Sequence, residues 1–339
     1  MQTIYRKLIL FAACLTFGIV VLGAFVRLSD AGLGCPDWPG CYGHIGVPEA
    51  AHDVAKAEQA FPGKPVEARK GWIEMVHRYF ASSLGLFILI IAFLAYKNRQ
   101  ALQQKIGLPL GLIGVVIFQG MLGMWTVTLL LKPAIVTAHL IGGMTLLALL
   151  TWLAMRQYVQ AGRSRIMVSL GLALHGRIAL AALACQIILG GWVSTNYAAL
   201  ACPDFPTCNT SLMPKMDFAN AFHVFRELGM TASGATLSHD ALTAIHWSHR
   251  LGALIVTLVL GALALRMLKV TELKKAARML LSVLVLQITL GITIVLTSLP
   301  LPLAVMHNAL AALLLVTLVM INFRMTATKQ ATRLAHKKS

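Results

Sequence analysis

"GLGCPDWPGC" occupies residues 32–41, and "LACPDFPTC" occupies residues 200–208. Both contain Cys-Pro-Asp-aromatic-Pro-x-Cys, and Cys35 and Cys202 lie 167 residues apart. A fixed internal period decides an architecture, because a missed repeat mis-assigns the whole fold. The likeness runs well beyond this clasp. Gly23 through Cys41 aligns with Gly190 through Cys208, and His77-Arg78 with His249-Arg250. "QGMLG" (119–123) aligns with "QITLG" (287–291), and His139 with His307. The chain reads as one unit written twice.

Of 339 residues, 58% are hydrophobic and 12% charged. Soluble domains carry about 25% charged residues, so a large soluble helical protein is excluded. Apolar stretches at roughly 8–28, 72–95, 108–131, 134–157, 168–193, 240–267, 277–298 and 302–323 each approach the ~20 residues that a helix needs to cross a bilayer. The first follows "MQTIYRK"; its length and the lack of a nearby small-x-small site read as a retained helix, not a cleaved signal. The expected fold is an all-α integral membrane protein. Eight transmembrane helices form two tandem four-helix bundles, related by a pseudo-twofold axis along the membrane normal. Residues 1–158 form the first half, 159–167 a cytoplasmic linker, 168–325 the second half and 326–339 a basic cytoplasmic tail.

The net charge is +17. Lys97, Arg99, Lys105, Arg156, Arg163, Arg165, Arg266, Lys269, Lys274, Lys275 and Arg278 fall in alternate links, with Arg6, Lys7 and the tail on the same side. One acid, Glu272, stands among them. The positive-inside rule places both termini in the cytoplasm and the loops 29–71 and 194–239 outside. The basic excess is thus a topology signal and calls for no nucleic acid. Cys35, Cys41, Cys202 and Cys208 lie in the outer loops, where an oxidising exterior permits disulfides. Cys14 and Cys185 lie within helices, where a thiol is expected to be buried as a small hydrophobe.

Among eleven histidines, His44, His52, His223, His239 and His336 read as solvated, and His175 lacks a repeat partner. His77, His139, His249 and His307 sit a few residues inside the second, fourth, sixth and eighth spans, at roughly 8 Å of depth. His77 can face His139, and His249 can face His307. Ionisable groups in a membrane are functional candidates by default. Two imidazoles on facing helices suit the axial positions of haem iron, and a bundle core is a usual place for a cofactor. Zinc would recruit further ligands. Arg27, Arg78, Lys132 and Arg250 lie near enough to the outer surface to contact haem propionates, although Arg78 and Arg250 can equally snorkel outward or pair with acids. Gln119, Gln186 and Gln287 each precede a glycine by four residues, a pattern that reads first as close helix packing.

The halves differ at the position three residues before the repeated His-Arg. Helix 2 reads "GWIEMVHRYFA" and helix 6 "AIHWSHRLGA", so Glu74 falls opposite His246. Glu74 lies one turn before His77 on the same face, where a carboxyl can move protons or stabilise positive charge. An ion pair with Arg78 or Lys70 is the plainer reading. His246 can be a spare ligand, a hydrogen-bond partner, or the ligand in place of His249; the repeat favours His249. The asymmetry suggests chemistry in the first half, served by the second.

Together "GLGCPDWPGC", "EMVHR", "VTAHL", "CPDFPTC", "SHRLGA" and "MHNAL" resemble the heme A synthase family over nearly the whole chain, in the type that carries cysteine pairs in its outer loops. The resemblance implies oxidation of the C8 methyl of haem O to a formyl group by successive hydroxylations, giving haem A for cytochrome c oxidase. It implies a substrate haem O site with Glu74 as catalytic residue and His77 and His139 on iron. It also implies a haem b cofactor held by His249 and His307, and a cysteine pair in each outer loop. The C-x5-C spacing suits disulfides Cys35–Cys41 and Cys202–Cys208 better than a zinc knuckle, either ordering a lid over a haem edge or passing electrons. Expected partners are haem O synthase and cytochrome c oxidase subunit I or its assembly factors, with a homo-oligomer left open. The expected location is the inner membrane of a bacterium, with the cysteine loops periplasmic. A di-haem b electron-transfer cytochrome and a non-catalytic haem carrier or assembly factor are the alternatives.

Overall fold

The computed structural model describes residues 1–159 and 165–327. Most of the expected linker (160–164, with Arg163) and tail (328–339, with His336) lies outside the described residues. Among the described residues, ten α-helices run in chain order: α1 (Gln2–Leu28), α2 (Ala51–Ala60), α3 (Ala68–Lys97), α4 (Gly107–Thr128), α5 (Pro133–Val159), α6 (Leu170–Thr195), α7 (Phe218–Ala221), α8 (His239–Met267), α9 (Lys274–Leu296) and α10 (Leu301–Arg324). Eight of them, all but α2 and α7, are long and apolar enough to cross a membrane.

Helix ends follow capping chemistry as well as hydropathy. Ser169 accepts from Leu172 N–H at the start of α6, and Ser238 accepts from Ala241 N–H at the start of α8. Each satisfies one of the donors that a first turn leaves over. α3 begins at Ala68, before the apolar run, because Ala68–Lys70 continue the helix as a polar first turn. The all-α expectation needs one amendment. β1 (Ile166–Val168) and β2 (Met325–Ala327) pair in parallel, Ile166 against Met325. This short ladder straddles both expected boundaries of the second half.

In the first half α1 packs on α3 and α5, and α4 closes the ring between α3 and α5. In the second, α6 packs on α8 and α10, and α9 closes the ring between α8 and α10. α1 against α10, α5 against α10 and α5 against α6 join the halves. Leu86 and Phe93 on α3, Leu258 on α8 and Val285 on α9 point outward and stay exposed. In lipid that carries no penalty, because the acyl chains are as apolar as leucine. Cys14 and Cys185 are exposed as well, which corrects the expectation of buried thiols: an outward helix face is itself an apolar environment here.

The interior is divided along the helix axes. One packed cluster joins Ile9, Leu84, Ile88, Ile91, Leu112 and Leu150. The other joins Leu183, Leu260, Leu263, Leu280, Leu315 and Leu318. Both occupy the end with the basic links. Nearer the clasps, smaller clusters tie each outer loop to its helices, through Cys35, Tyr42, Val47 and Met75 in one half and Trp192, Ala198, Leu237 and Ile245 in the other. The four paired histidines lie between these layers.

Candidate functional site

Each of the four histidines rests against a glycine of the neighbouring helix. A Cβ on Gly23 of α1 would lie 3.1 Å from Cε1 of His77 on α3. One on Gly123 of α4 would lie 3.3 Å from Cε1 of His139 on α5. Gly190 of α6 faces His249 of α8 at 3.0 Å, and Gly291 of α9 faces His307 of α10 at 3.1 Å. Any side chain there would push the imidazole aside. His77 lies within electrostatic range of His139, and His249 of His307, so the structure brings the predicted pairs together.

The glutamines four residues before three of these glycines do more than pack helices. Gln119 Nε2 donates to the backbone carbonyl of His139 at 2.7 Å. Gln186 Nε2 donates to the carbonyl of His249 at 3.0 Å and also lies 3.0 Å from its Nδ1. Gln287 Nε2 lies 3.1 Å from Nε2 of His307. Gly142 and Gly252, each three residues after its histidine, make room, since a Cβ there would overlap the amide oxygen of Gln119 or Gln186. The fourth position, beside His77, is Ile19. The i, i+4 Gln–Gly spacing was the visible sequence signal; that the amides reach the histidines was not.

The clasps fold alike in their disulfides, turns and aspartate caps. Cys35–Cys41 and Cys202–Cys208 are disulfide-bonded. Cys41 and His44 exchange backbone hydrogen bonds, as do Cys208 and Ser211. The two residues between are left-handed in each case, with φ of 54° and 77° at Tyr42 and Gly43 and 52° and 64° at Asn209 and Thr210. That is the geometry of a two-residue hairpin turn. Asp37 accepts from the N–H groups of Tyr42 and Gly43, and Asp204 from those of Asn209 and Thr210.

An arginine ties each clasp to the helix that carries the histidine. Arg78 donates to the carbonyls of Asp37, Pro39 and Gly40. Arg250 donates to those of Cys202, Asp204 and Thr207. The geometry thus gives these two expected propionate contacts another use, holding loop carbonyls. Glu74 is 5% exposed. It accepts from Arg78 at 2.5 Å and from the Cys35 backbone N–H at 3.0 Å. In the second half Arg250 Nε donates to His246 Nε2 at 3.3 Å. His246 therefore stands where Glu74 stands, as the partner of the staple arginine.

Arg27 and Lys132 join the halves. Arg27 donates to the Ser194 carbonyl at 2.6 Å and lies 3.9 Å from the centre of the Tyr197 ring. The Tyr197 hydroxyl donates to Asp30 at 3.0 Å. Lys132 pairs with Glu227 of the other outer loop at 2.7 Å. His44, His52, His223 and His239 are exposed, while His175 bonds the Val259 carbonyl and Arg266 near the basic end.

The imidazoles fit a haem. Nδ1 of His77, His139 and His307 is buried without a hydrogen-bond partner, which is costly unless the ring serves something else. Each ring is seated on a glycine, and the large aliphatic core stops short of this layer. Two imidazoles per site are the donors that iron in a porphyrin takes.

The chain is similar to known proteins over most of its length. Residues 6–319 match the family described as cytochrome oxidase assembly protein, COX15-CtaA. Heme A synthase of Shewanella oneidensis is 45% identical over 312 residues, covering 91% of this chain and 92% of that protein. Heme A synthase of a Caulobacter species is 29% identical over 332 residues, with 90% and 91% covered, and that of Nitrosospira multiformis is 28% identical over 340 residues, with 92% and 91% covered.

Proposed function

The chain belongs to the COX15-CtaA family of cytochrome oxidase assembly proteins, and from that premise we propose that it carries heme A synthase activity. It is an oxidoreductase that converts a ring methyl of haem O, at C8, to a formyl group. The methyl is oxidised in two successive hydroxylations. The observation that carries the reading is the two imidazole pairs, each ring seated on a glycine, with a carboxylate beside only one pair.

His77 and His139 hold the iron of the substrate haem O. His249 and His307 hold a haem b, which supplies one-electron redox chemistry when bound. Glu74 is held in place by Arg78 and by the Cys35 N–H. It gives a fixed negative charge one turn from His77, where positive charge grows as the methyl carbon is oxidised. The staple Glu74–Arg78 also presses the first clasp onto α3 and limits water at the substrate's edge. His246 supports Arg250 in the second half and leaves iron to His249. The disulfides and the charge asymmetry support an inner-membrane protein with periplasmic clasps and cytoplasmic termini. Haem O synthase as supplier and cytochrome c oxidase subunit I, or its assembly factors, as recipient follow from the chemistry of substrate and product.

The test is acid extraction and chromatography of haems from aerobic cells that make this chain together with a haem O synthase. Haem A is the expected product. Haems B and O alone, with folded protein present, would end the proposal.

A further inference from the structure

Where the two halves meet at the basic end, α5, α6 and α10 leave a cavity of about 430 Å³. Sites for small ligands run to about 300–1,000 Å³, so the space is ample for a lipid headgroup. Trp152 of α5 forms one wall, edge-on to Phe323 of α10 with ring centres 4.9 Å apart. The Arg165 guanidinium lies 4.7 Å from the centre of the Phe323 ring, so the aromatic wall holds one cation at the rim. Arg177 of α6 brings a second cation to the same cavity. It is exposed, and α6 starts at Leu170, which puts Arg177 roughly 10 Å along the helix axis. A cation at that depth in a membrane calls for an anion. The chain does not bring one here. Glu272 is the one acid on the basic side, and it does not line the cavity. Among the described residues, the ion pairs all lie toward the clasps.

The cavity is also amphipathic. Ala181 and Ala184 follow Arg177 by four and seven residues, the spacing of one helix face, and both are exposed. They continue the lining from the arginines toward the middle of α6. Charge at one end and bare alkyl surface at the other suit a ligand that is anionic at its head and apolar along its length.

We propose that this cavity binds an anionic phospholipid, with its phosphate between Arg165 and Arg177 and an acyl chain along Ala181 and Ala184. The forked donors of arginine bond two phosphate oxygens at once, and basic pockets between membrane helices on the positive side are where such headgroups collect. Because α5 belongs to the first half and α6 and α10 to the second, the lipid bridges the halves at the end opposite Arg27 and Lys132. The site does not depend on what the imidazole layers hold.

The experiment titrates purified full-length protein, in detergent and freed of copurified lipid, with dioleoylphosphatidylglycerol and reads binding by native mass spectrometry. Dioleoylphosphatidylcholine and inorganic phosphate are separate probes. The parent should bind phosphatidylglycerol in preference to phosphatidylcholine. A basic side chain near a membrane surface is worth about 5-fold in affinity for an anionic lipid. Arg165→Gln and Arg177→Gln should each weaken phosphatidylglycerol binding by about that factor. Arg99→Gln, which removes the same charge from the link between α3 and α4, should leave it unchanged. Ala181→Leu keeps every charge and narrows the apolar end, so it should weaken the lipid as well. Equal loss from Arg99→Gln, or equal binding of phosphatidylcholine by the parent, overturns the proposal, since general charge or apolar surface would then explain the binding. Displacement of the lipid by equimolar inorganic phosphate also overturns it, in favour of a free anion. If Arg177→Gln does not fold, parent-like binding by both Arg165→Gln and Ala181→Leu overturns it instead.

Discussion

The two halves share a frame and differ in what stands next to the staple arginine. In the first, Arg78 is neutralised by a buried carboxylate; in the second, Arg250 meets an imidazole. The disulfides and hairpin turns are otherwise alike, and each arginine bonds the carbonyls of the clasp aspartate and of the residue before the second cysteine. The repeated parts are those that seat the imidazoles, and the part that differs is the one that sets charge beside them. Charge is the costly item to hold in a membrane, and the one buried carboxylate is tied down by two donors.

The hardest test of this comparison is to remove ligands one half at a time. His249→Ala or His307→Ala should abolish bound haem b, read from the absorption spectrum of purified protein. His77→Ala or His139→Ala should leave haem b in place and stop haem A formation. Loss of haem b from the first-half variants alone would break the assignment of roles. Next in size are the staples. Arg78→Gln strands Glu74, and breaking a buried pair costs about 3–5 kcal/mol. Arg250→Gln strands no charge and should cost about 1–3 kcal/mol, the penalty of unmade hydrogen bonds. Thermal unfolding compares the two, and equal losses would show that the carboxylate adds nothing.

Much of this frame was legible in the sequence. The repeat, the eight spans and the histidine pairs follow from spacing alone, because helix periodicity and apolar run length are local properties. The use of the arginines was not legible. Arg78 and Arg250 bond carbonyls about forty residues away, and a carbonyl is present at every residue, so no side-chain pattern marks the acceptor. The glutamines were half legible: their spacing to glycine was plain, but which neighbour the amides would meet depended on how the helices pack. The β1–β2 ladder escaped because its strands are three residues each and lie at opposite ends of the second half.

Smaller changes sharpen the comparison further. Gly190→Ala and Gly23→Ala each push a methyl into an imidazole, at about 1–3 kcal/mol for overpacking. The first should reduce haem b content and the second haem O binding, with no crossover, measured as haem per protein. Lys132→Ala removes a partly exposed ion pair between the halves and should cost only about 0.2–1 kcal/mol; a larger shift in melting temperature would mean that the halves depend on this contact. The least effect is expected from acid. The Thr207 hydroxyl, with the N–H groups of Thr210 and Asn209, holds the Asp204 carboxyl below its ordinary value of 3.8. A lowered folded value stabilises the ionised clasp. The contribution is therefore complete above the ordinary value and fades as pH falls below it. Proteolysis of the second outer loop should rise only in that acidic range, and a rise near neutrality would contradict the assignment.

The placement of the aliphatic clusters has a consequence for supply. The aliphatic clusters pack the helices together at the end with the basic links. On the proposed function, assembly of the scaffold and loading of its haems become separate events. A chain synthesised while haem is scarce keeps its packed end and presents four seated imidazoles at the other, so delivery can come late without the protein being made again.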